Sequence, residues 1–400
     1  MPPASPLADR HQEASRRHAG LAILALAVGG FAIGTTEFAS MGMLPEVARG
    51  IGVDIPTAGH LVSAYALGVV VGAPTLAVLG SRLPRRRVLV ALMALFAVAH
   101  LASLLVTSYW PLMLVRFVAG LPHGAYFGIA SLVAASLVDD RRRTQAVSNV
   151  LMGLTVANIV GVPAATWLGQ ALGWQQSYAV VGVLGLVTMA AVSTLVPHQP
   201  ANPTASVRRE FTALRRPQVW LALLIGTVGF GGMFSTYAYI SPTLQELGGW
   251  SSAAVPWILS LYGLGSTTGA ALAGRVARHG ILRGIAVLLV LIAILLAVYA
   301  LLLPYAVVGL AATYALGMLP SMLVPMLQTR LMDVAHEGQS LAAALNHSTL
   351  NIANALGAWL GSLVLAAGWG YAWPSRIGVV LAVLGLAVTA WSALLQRRTA

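Results

Sequence analysis

Twelve apolar runs, each roughly 20 residues or longer, follow one another along this chain with little between them. They cover approximately 21–44, 58–79, 88–107, 110–138, 145–168, 177–196, 219–244, 253–273, 284–303, 305–332, 339–366 and 374–395. A bilayer core of about 30 Å takes roughly 20 helical residues to cross. Only helices and closed barrels satisfy their backbone in lipid, and these runs are far too long for barrel strands. They predict an all-α membrane protein with 12 transmembrane helices. Composition agrees: of 400 residues, 58% are apolar and only 8% charged, against about 25% charged in a soluble domain. A disordered chain, an ordinary water-soluble enzyme and a fibrous repeat are excluded.

The placement of charge tests the count. The net charge of +12 reflects 23 basic residues, all arginine, against 11 acidic ones. A nucleic-acid surface would gather them on one face; here they fall in small clusters at every second gap, so no nucleic-acid partner is expected. Arg10, Arg16 and Arg17 precede the first run. Arg82, Arg85, Arg86 and Arg87 follow the second, and Arg141, Arg142 and Arg143 the fourth. Arg208, Arg209, Arg215 and Arg216 follow the sixth, Arg275, Arg278 and Arg283 the eighth, with Arg330 at the tenth and Arg397 and Arg398 at the tail. The opposite side has only Arg49 and Arg376. Basic residues mark cytoplasmic loops, so both termini are expected in the cytoplasm and the chain in the plasma (inner) membrane. The charged start resembles a signal peptide, but the run 21–44 is too long for a signal core and is expected to be retained.

The expected organisation is a cytoplasmic arm (1–20), a six-helix bundle (21–196), a cytoplasmic linker (197–218), a second six-helix bundle (219–395) and a short tail (396–400). The two bundles look alike. Tyr65-Ala-Leu-Gly68-x3-Gly72-Ala73 recurs as Tyr262-Gly-Leu-Gly265-x3-Gly269-Ala270, and Ala157-Asn158-x2-Gly161 recurs as Ala353-Asn354-x2-Gly357. Glycine spacing alone is common where membrane helices pack closely. A shared offset is not, and a duplicated unit with its site between the repeats is how many transporters are built.

Ionisable side chains inside a span are costly and mark candidate function. Glu37 lies in the first run, with Gly30, Gly34, Ser40 and Met41 on its face. Burial favours a neutral carboxyl, so Glu37 is a candidate proton carrier. Arg116, in the fourth run, sits at nearly the same depth, and a direct or water-bridged pair with Glu37 is expected. A fixed ion pair that only orients two helices is the alternative. His123 lies on the same helix face nearer mid-membrane, either relaying protons or bonding a neighbouring helix. His347, Asn351 and Asn354 share one face of the eleventh run. These and Asn158 in the fifth run could bond a polar substrate or act as interhelical glue, and glue is favoured for Asn158 and Asn354, at repeat-equivalent places. Phe234, Tyr237 and Tyr239 in the seventh run, with Tyr314, Met318, Met322 and Met326 in the tenth, suit an adaptable apolar pocket or plain packing. The candidate substrate cavity is Phe234, Tyr237, Tyr314, Met318, His347 and Asn351.

Enzyme motifs are missing. His336-Glu337 lacks a second histidine at zinc-protease spacing, and without lysine there is no G-x-x-x-x-G-K-[ST] loop. Cysteine is absent, which removes disulfides, thiolate metal sites and cysteine nucleophiles. No metal and no cofactor are expected, and the energy source is an ion gradient.

These features together resemble the major facilitator superfamily over essentially the whole chain. Within it the first half is similar to the bacterial drug:proton antiporter and sugar-efflux branch. The residues carrying this are Gly34-Thr35-Thr36-Glu37-Phe38 with Leu44-Pro45, Tyr65–Pro74, the run Arg116–Gly124, and Ala157-Asn158-Ile-Val-Gly161-Val-Pro163 through Gly173-Trp174. The resemblance implies two halves rocking about a central cavity lined by helices 1, 4, 7 and 10, with export driven by inward proton flow. It assigns a cytoplasmic gate to Gly80, Arg82, Arg85, Arg86 and Arg87, and an antiporter motif to Asn158, Gly161 and Pro163. Three positions depart from the family pattern. The loop Gly80–Arg87 has no acid, so Asp139 or Asp140 would serve. Ala165 stands where the antiporter motif prefers glycine, and Gln175 where an arginine often follows Gly-Trp. The expected function is export of a small drug-like or sugar-like molecule by proton antiport, the protein working as a monomer in the bilayer. The rivals are a proton-coupled importer or facilitator on the same fold and, from another class, a membrane-embedded enzyme or sensor.

Overall fold

The computed structural model of the chain describes residues 6–80, 82–139, 142–199, 215–335 and 339–399. Twelve long helices form where the twelve runs lie, and they are numbered here as spans 1 to 12. They are Pro6–Gly42, Ile55–Gly80, Arg85–Ala102, Tyr109–Ser136, a fifth running through Arg143–Val156 and Val162–Leu172, and Trp174–Leu195. In the second half they are Pro217–Tyr237, Val255–Ala277, Ile281–Leu302, Ala306–Ala335, Gln339–Ala366 and Trp373–Thr399. Eleven are long and apolar enough to cross a membrane by length and composition. Span 8 is the exception, because Gly263, Gly265, Ser266, Thr267, Thr268 and Gly269 dilute its apolar content. Short connections make successive spans antiparallel. The arginine clusters therefore gather at one end of the bundle, the arginine end, opposite a far end.

The repeated glycines show their purpose in packing. A Cβ at Gly68 would land on the Phe117 carbonyl oxygen, and one at Gly72 on that of Leu121. At the same offset, Gly265 meets the Tyr314 carbonyl and Gly269 that of Met318. Span 2 thus presses on span 4 as span 8 presses on span 10. A second symmetry was not visible in the sequence. The runs expected at 21–44 and 219–244 both break at the far end. Span 1 stops at Gly42 and a short helix, Leu44–Ile51, follows; span 7 stops at Tyr237 and Ile240–Glu246 follows. The residues before those short helices, Met43 (φ −108°, ψ 23°) and Tyr239 (φ −113°, ψ 21°), have nearly the same backbone. They lie at the offset that also relates Asn158 to Asn354.

Other boundaries also move. Span 1 begins at Pro6, so the expected arm is largely helix, and span 12 continues to Thr399. Span 7 begins at Pro217, inside the expected linker, and residues 200–214 of that linker lie outside the described residues. Pro163 lacks an N–H, and its ring conflicts with the carbonyl of Ile159. Span 5 absorbs this with a π turn over Ala157–Gly161, the Val162 N–H reaching the Ala157 carbonyl.

The outer surface is apolar. Leu105, Leu79, Leu114 and Val307 are among many exposed large apolar side chains, as a lipid-facing surface requires and a soluble one avoids. Exposed tryptophans stand near both rims: Trp110, Trp257 and Trp369 at the far end, Trp220 and Trp391 at the arginine end. At the far end, Asp54 accepts the Thr57 N–H at 2.8 Å and caps span 2. Bonding by the Thr57 hydroxyl and backbone N–H holds the Asp54 carboxyl below its usual range. Its stabilisation is therefore complete above the ordinary aspartate value and is lost as pH falls through the lowered one. Asp54→Ala is expected to destabilise by about 1 kcal/mol at neutral pH. Thermal melting of the solubilised protein should show a lower midpoint at pH 7 and convergence with the wild type in strong acid.

Candidate functional site

The two halves meet most tightly at the far end. The apolar core of the second half continues into Met41, Leu44, Ala48, Ala58, Val62 and Val162 of the first. The main core of the first half, from Ala22 to Val196, contains no second-half residue. Hydrogen bonds joining the halves include His60 Nε2 to Ser362 Oγ at 3.1 Å, Ser63 Oγ to the Ala355 carbonyl at 3.0 Å, and Gln170 to the Ser252 carbonyl at 2.9 Å. The π turn of span 5 faces span 8, where a Cβ at Gly263 would strike the Asn158 carbonyl.

Below this seam sits a polar cluster. Glu37 is only 8% exposed. Its Oε2 lies 3.9 Å from His123 Nε2, and His123 Nδ1 is 3.1 Å from the Tyr65 hydroxyl. The expected direct pair between Glu37 and Arg116 does not form. Arg116, buried to 1% exposure, donates instead to the Thr36 hydroxyl at 3.1 Å and to the Thr36 carbonyl at 3.5 Å. Its guanidinium lies over the rings of Tyr65 (4.5 Å) and Tyr178 (5.0 Å). The depth argument brought Arg116 to the right turn of span 1. However, adjacent helical residues point about 100° apart, and Arg116 meets the face of Thr36. His100 of span 3 bonds the same hydroxyl, Nε2 to Oγ1 at 2.8 Å, while its Nδ1 is 2.8 Å from the Phe96 carbonyl.

The aromatic candidates divide. Phe38, beside Glu37, stacks on Phe234 and meets Tyr237 edge-on, and Tyr237 lies 4.1 Å from the Tyr262 ring. Phe234 and Tyr237 are thus buried in an aromatic patch that crosses between the halves. Tyr314 donates to Thr268 at 2.8 Å, and the Tyr314 and Met318 backbones pack on span 8. Both thus contact span 8. His347 stacks on Phe127, one turn beyond His123.

The asparagines are a further correction. Glue requires side-chain hydrogen bonds, yet Asn158 Oδ1 and both amide atoms of Asn354 are buried without a partner among the described residues. Asn346 is unpartnered at both amide atoms, and Asn351 at Oδ1, although its Nδ2 donates to the His347 carbonyl at 3.1 Å. Buried orphans of this kind cost about 1–3 kcal/mol each and call for water or a ligand. Among the gate candidates, Gly80 ends span 2, Arg86 donates to the Ser193 carbonyl, and Arg82, Arg85 and Arg87 lie close to it in sequence at the arginine end. Among the described residues Asp139 makes no ion pair with these arginines, and Asp140 lies outside them. Gly161 meets Thr35 and Phe31 of span 1; Asn158 and Gly161 of the expected antiporter motif lie in the π turn and Pro163 two residues after it.

His100 was missed, although a histidine inside the run 88–107 is itself a signal. Tyr178, His60 and Ser362 carried none, since hydroxyls and loop-proximal histidines are common in such runs.

A twelve-helix bundle in two related halves, with a buried polar cluster beneath a closed seam, defines a multi-pass membrane transporter. The chain belongs to the major facilitator superfamily, whose family model matches residues 26–342. It is 43% identical to an Escherichia coli O157:H7 protein called inner membrane transport protein YdhP, over 94% of this chain and 97% of that one. It is 32% identical to a chloramphenicol resistance protein of Streptomyces lividans, over 91% and 95%. The fold is shared with a bacterial homologue of the human lysosomal transporter Spinster, crystallised inward-facing and unoccupied (TM-score 0.73, 16% identity, 95% of this chain and 97% of that one).

Proposed function

We propose that this protein exports small amphiphilic molecules, drug-like or sugar-like, across a bacterial plasma membrane in exchange for protons. The observation that carries this reading is Glu37: an acid buried at the meeting of the halves, near a histidine but paired with no arginine among the described residues. Such a carboxyl can take up and release a proton as its surroundings alternate between wet and dry. The crowding of inter-half contacts at the far end supports a state that opens toward the arginine end, taken as cytoplasmic from the positive-inside rule. The aromatic patch beside Glu37 offers apolar contact to a substrate, and the unpartnered amides of span 11 offer hydrogen bonds. The name of the Streptomyces relative supports export of drug-like compounds.

The test uses proteoliposomes with an imposed pH gradient and a panel of antibiotics and sugars. A transported compound should discharge the gradient and accumulate against its own. Accumulation that ignores the gradient would overturn proton coupling. Greater drug sensitivity on expression in an efflux-deficient host would overturn export.

A further inference from the structure

Thr36 and its three neighbours Arg116, His100 and Phe96 admit one arrangement of protons when His100 is neutral. Arginine can only donate, so the Thr36 hydroxyl accepts from Arg116 Nη1 at 3.1 Å. The Phe96 carbonyl only accepts, so His100 Nδ1 carries a proton, and in the neutral ring Nε2 accepts the Thr36 proton at 2.8 Å. The Nδ1 proton is aimed at the Phe96 carbonyl at 2.8 Å. The chain runs Arg116 to Thr36 to His100 to Phe96, each donor matched to an acceptor, and it requires neutral His100. A second proton would take the acceptor site on Nε2 from the Thr36 hydroxyl and set two cations side by side.

This explains an otherwise costly arrangement. A buried guanidinium and a buried carboxyl on neighbouring turns lose much by staying apart. Among the described residues Arg116 is engaged by aromatic faces and neutral oxygens, and its Nε has no partner. We infer that Thr36 and His100 are positioning residues that hold Arg116 away from Glu37, leaving the carboxyl without a counter-charge. This rests on the proposed role of Glu37. The groups facing Glu37 from the packed elements are His123, Arg116, Tyr65, Tyr237 and Tyr262, with His347 behind His123. Arg116 is the only fixed charge among them.

The test follows the infrared band of the protonated carboxyl in the purified full chain in lipid, titrated with pH. Glu37→Gln assigns the band. Thr36→Val keeps the shape of the side chain and removes the hydroxyl, so Arg116 is free to turn onto Glu37. The band should then vanish at a pH lower by roughly one unit or more. Thr36→Ser should restore the wild-type titration, a rescue that packing alone would not give. His100→Phe should act in the same direction but less, and it decides the matter if Thr36→Val does not fold. Superimposable titrations of wild type and the folded variants would overturn the inference. Proton-driven transport by Glu37→Gln would overturn the functional reading alone, so the two failures are separable.

Discussion

Glu37→Gln is expected to abolish proton-driven transport, with a loss of roughly 100-fold or more. The substitution keeps the size of the side chain and its hydrogen-bonding capacity, so the packing against Phe38 and His123 should persist. What it removes is the ability to exchange a proton. The site offers no obvious replacement. The other acids within described spans, Asp9 and Glu13 at the start of span 1 and Asp333 near the end of span 10, lie toward the arginine end, away from the seam. His123 stands 3.9 Å away but is only 2% exposed and engaged by Tyr65. The variant should still bind substrate and still exchange it between equal pools, because those steps need no net proton movement. Uptake driven by a pH gradient and counterflow exchange, measured in the same proteoliposomes, separate the two. Gradient-driven uptake at the wild-type rate would remove Glu37 from the mechanism.

Gly263→Val should have the second large effect, and on shape instead of chemistry. The position faces the π turn of span 5, and its missing side chain lets the Asn158 carbonyl approach. Backbone cannot step aside as a flexible side chain can, so added bulk must separate span 8 from span 5. Overpacking of this sort costs about 1–3 kcal/mol, which lowers the population of the closed far end roughly 5- to 150-fold. The chain has no cysteine, so spin labels at Arg49→Cys and Ser251→Cys report alone. These positions are exposed on opposite halves at the far end. Their distance distribution should shift to longer values in the variant, and transport should slow as the protein is trapped with that end open. An unchanged distribution would show that the seam tolerates the bulk.

The fold was largely legible from the sequence because lipid leaves few choices. Long apolar runs must be helices, arginine clusters mark one end, and matched glycines mark close crossings. The breaks at Met43 and Tyr239 were not legible, because Leu44-Pro45 and Ile240-Ser241-Pro242 sit inside otherwise continuous apolar runs. Hydropathy cannot separate a helix that ends from one that bends. The candidate site was half legible. Charge in lipid singled out Glu37, Arg116 and His123, and depth brought the first two to one level. Which partner each would take depended on rotation about span 1, a matter of single residues. The shift from Glu37 to Thr36 as the partner of Arg116 turns on one position. The histidine that completes that arrangement, His100, was hidden in a run read only for its apolar character.

The tryptophans at the two rims have a consequence for the membrane itself. Indole rings settle at the headgroup level, so Trp110, Trp257 and Trp369 at one end and Trp220 and Trp391 at the other fix how thick a bilayer the protein fits. Opening one end while closing the other tilts spans and changes the apolar height they present. Mismatch is worth fractions of a kcal/mol per ångström, enough over twelve helices to favour one conformation over another. Lipid chain length is therefore a setting on the working cycle, and turnover in vesicles of graded acyl length should pass through an optimum.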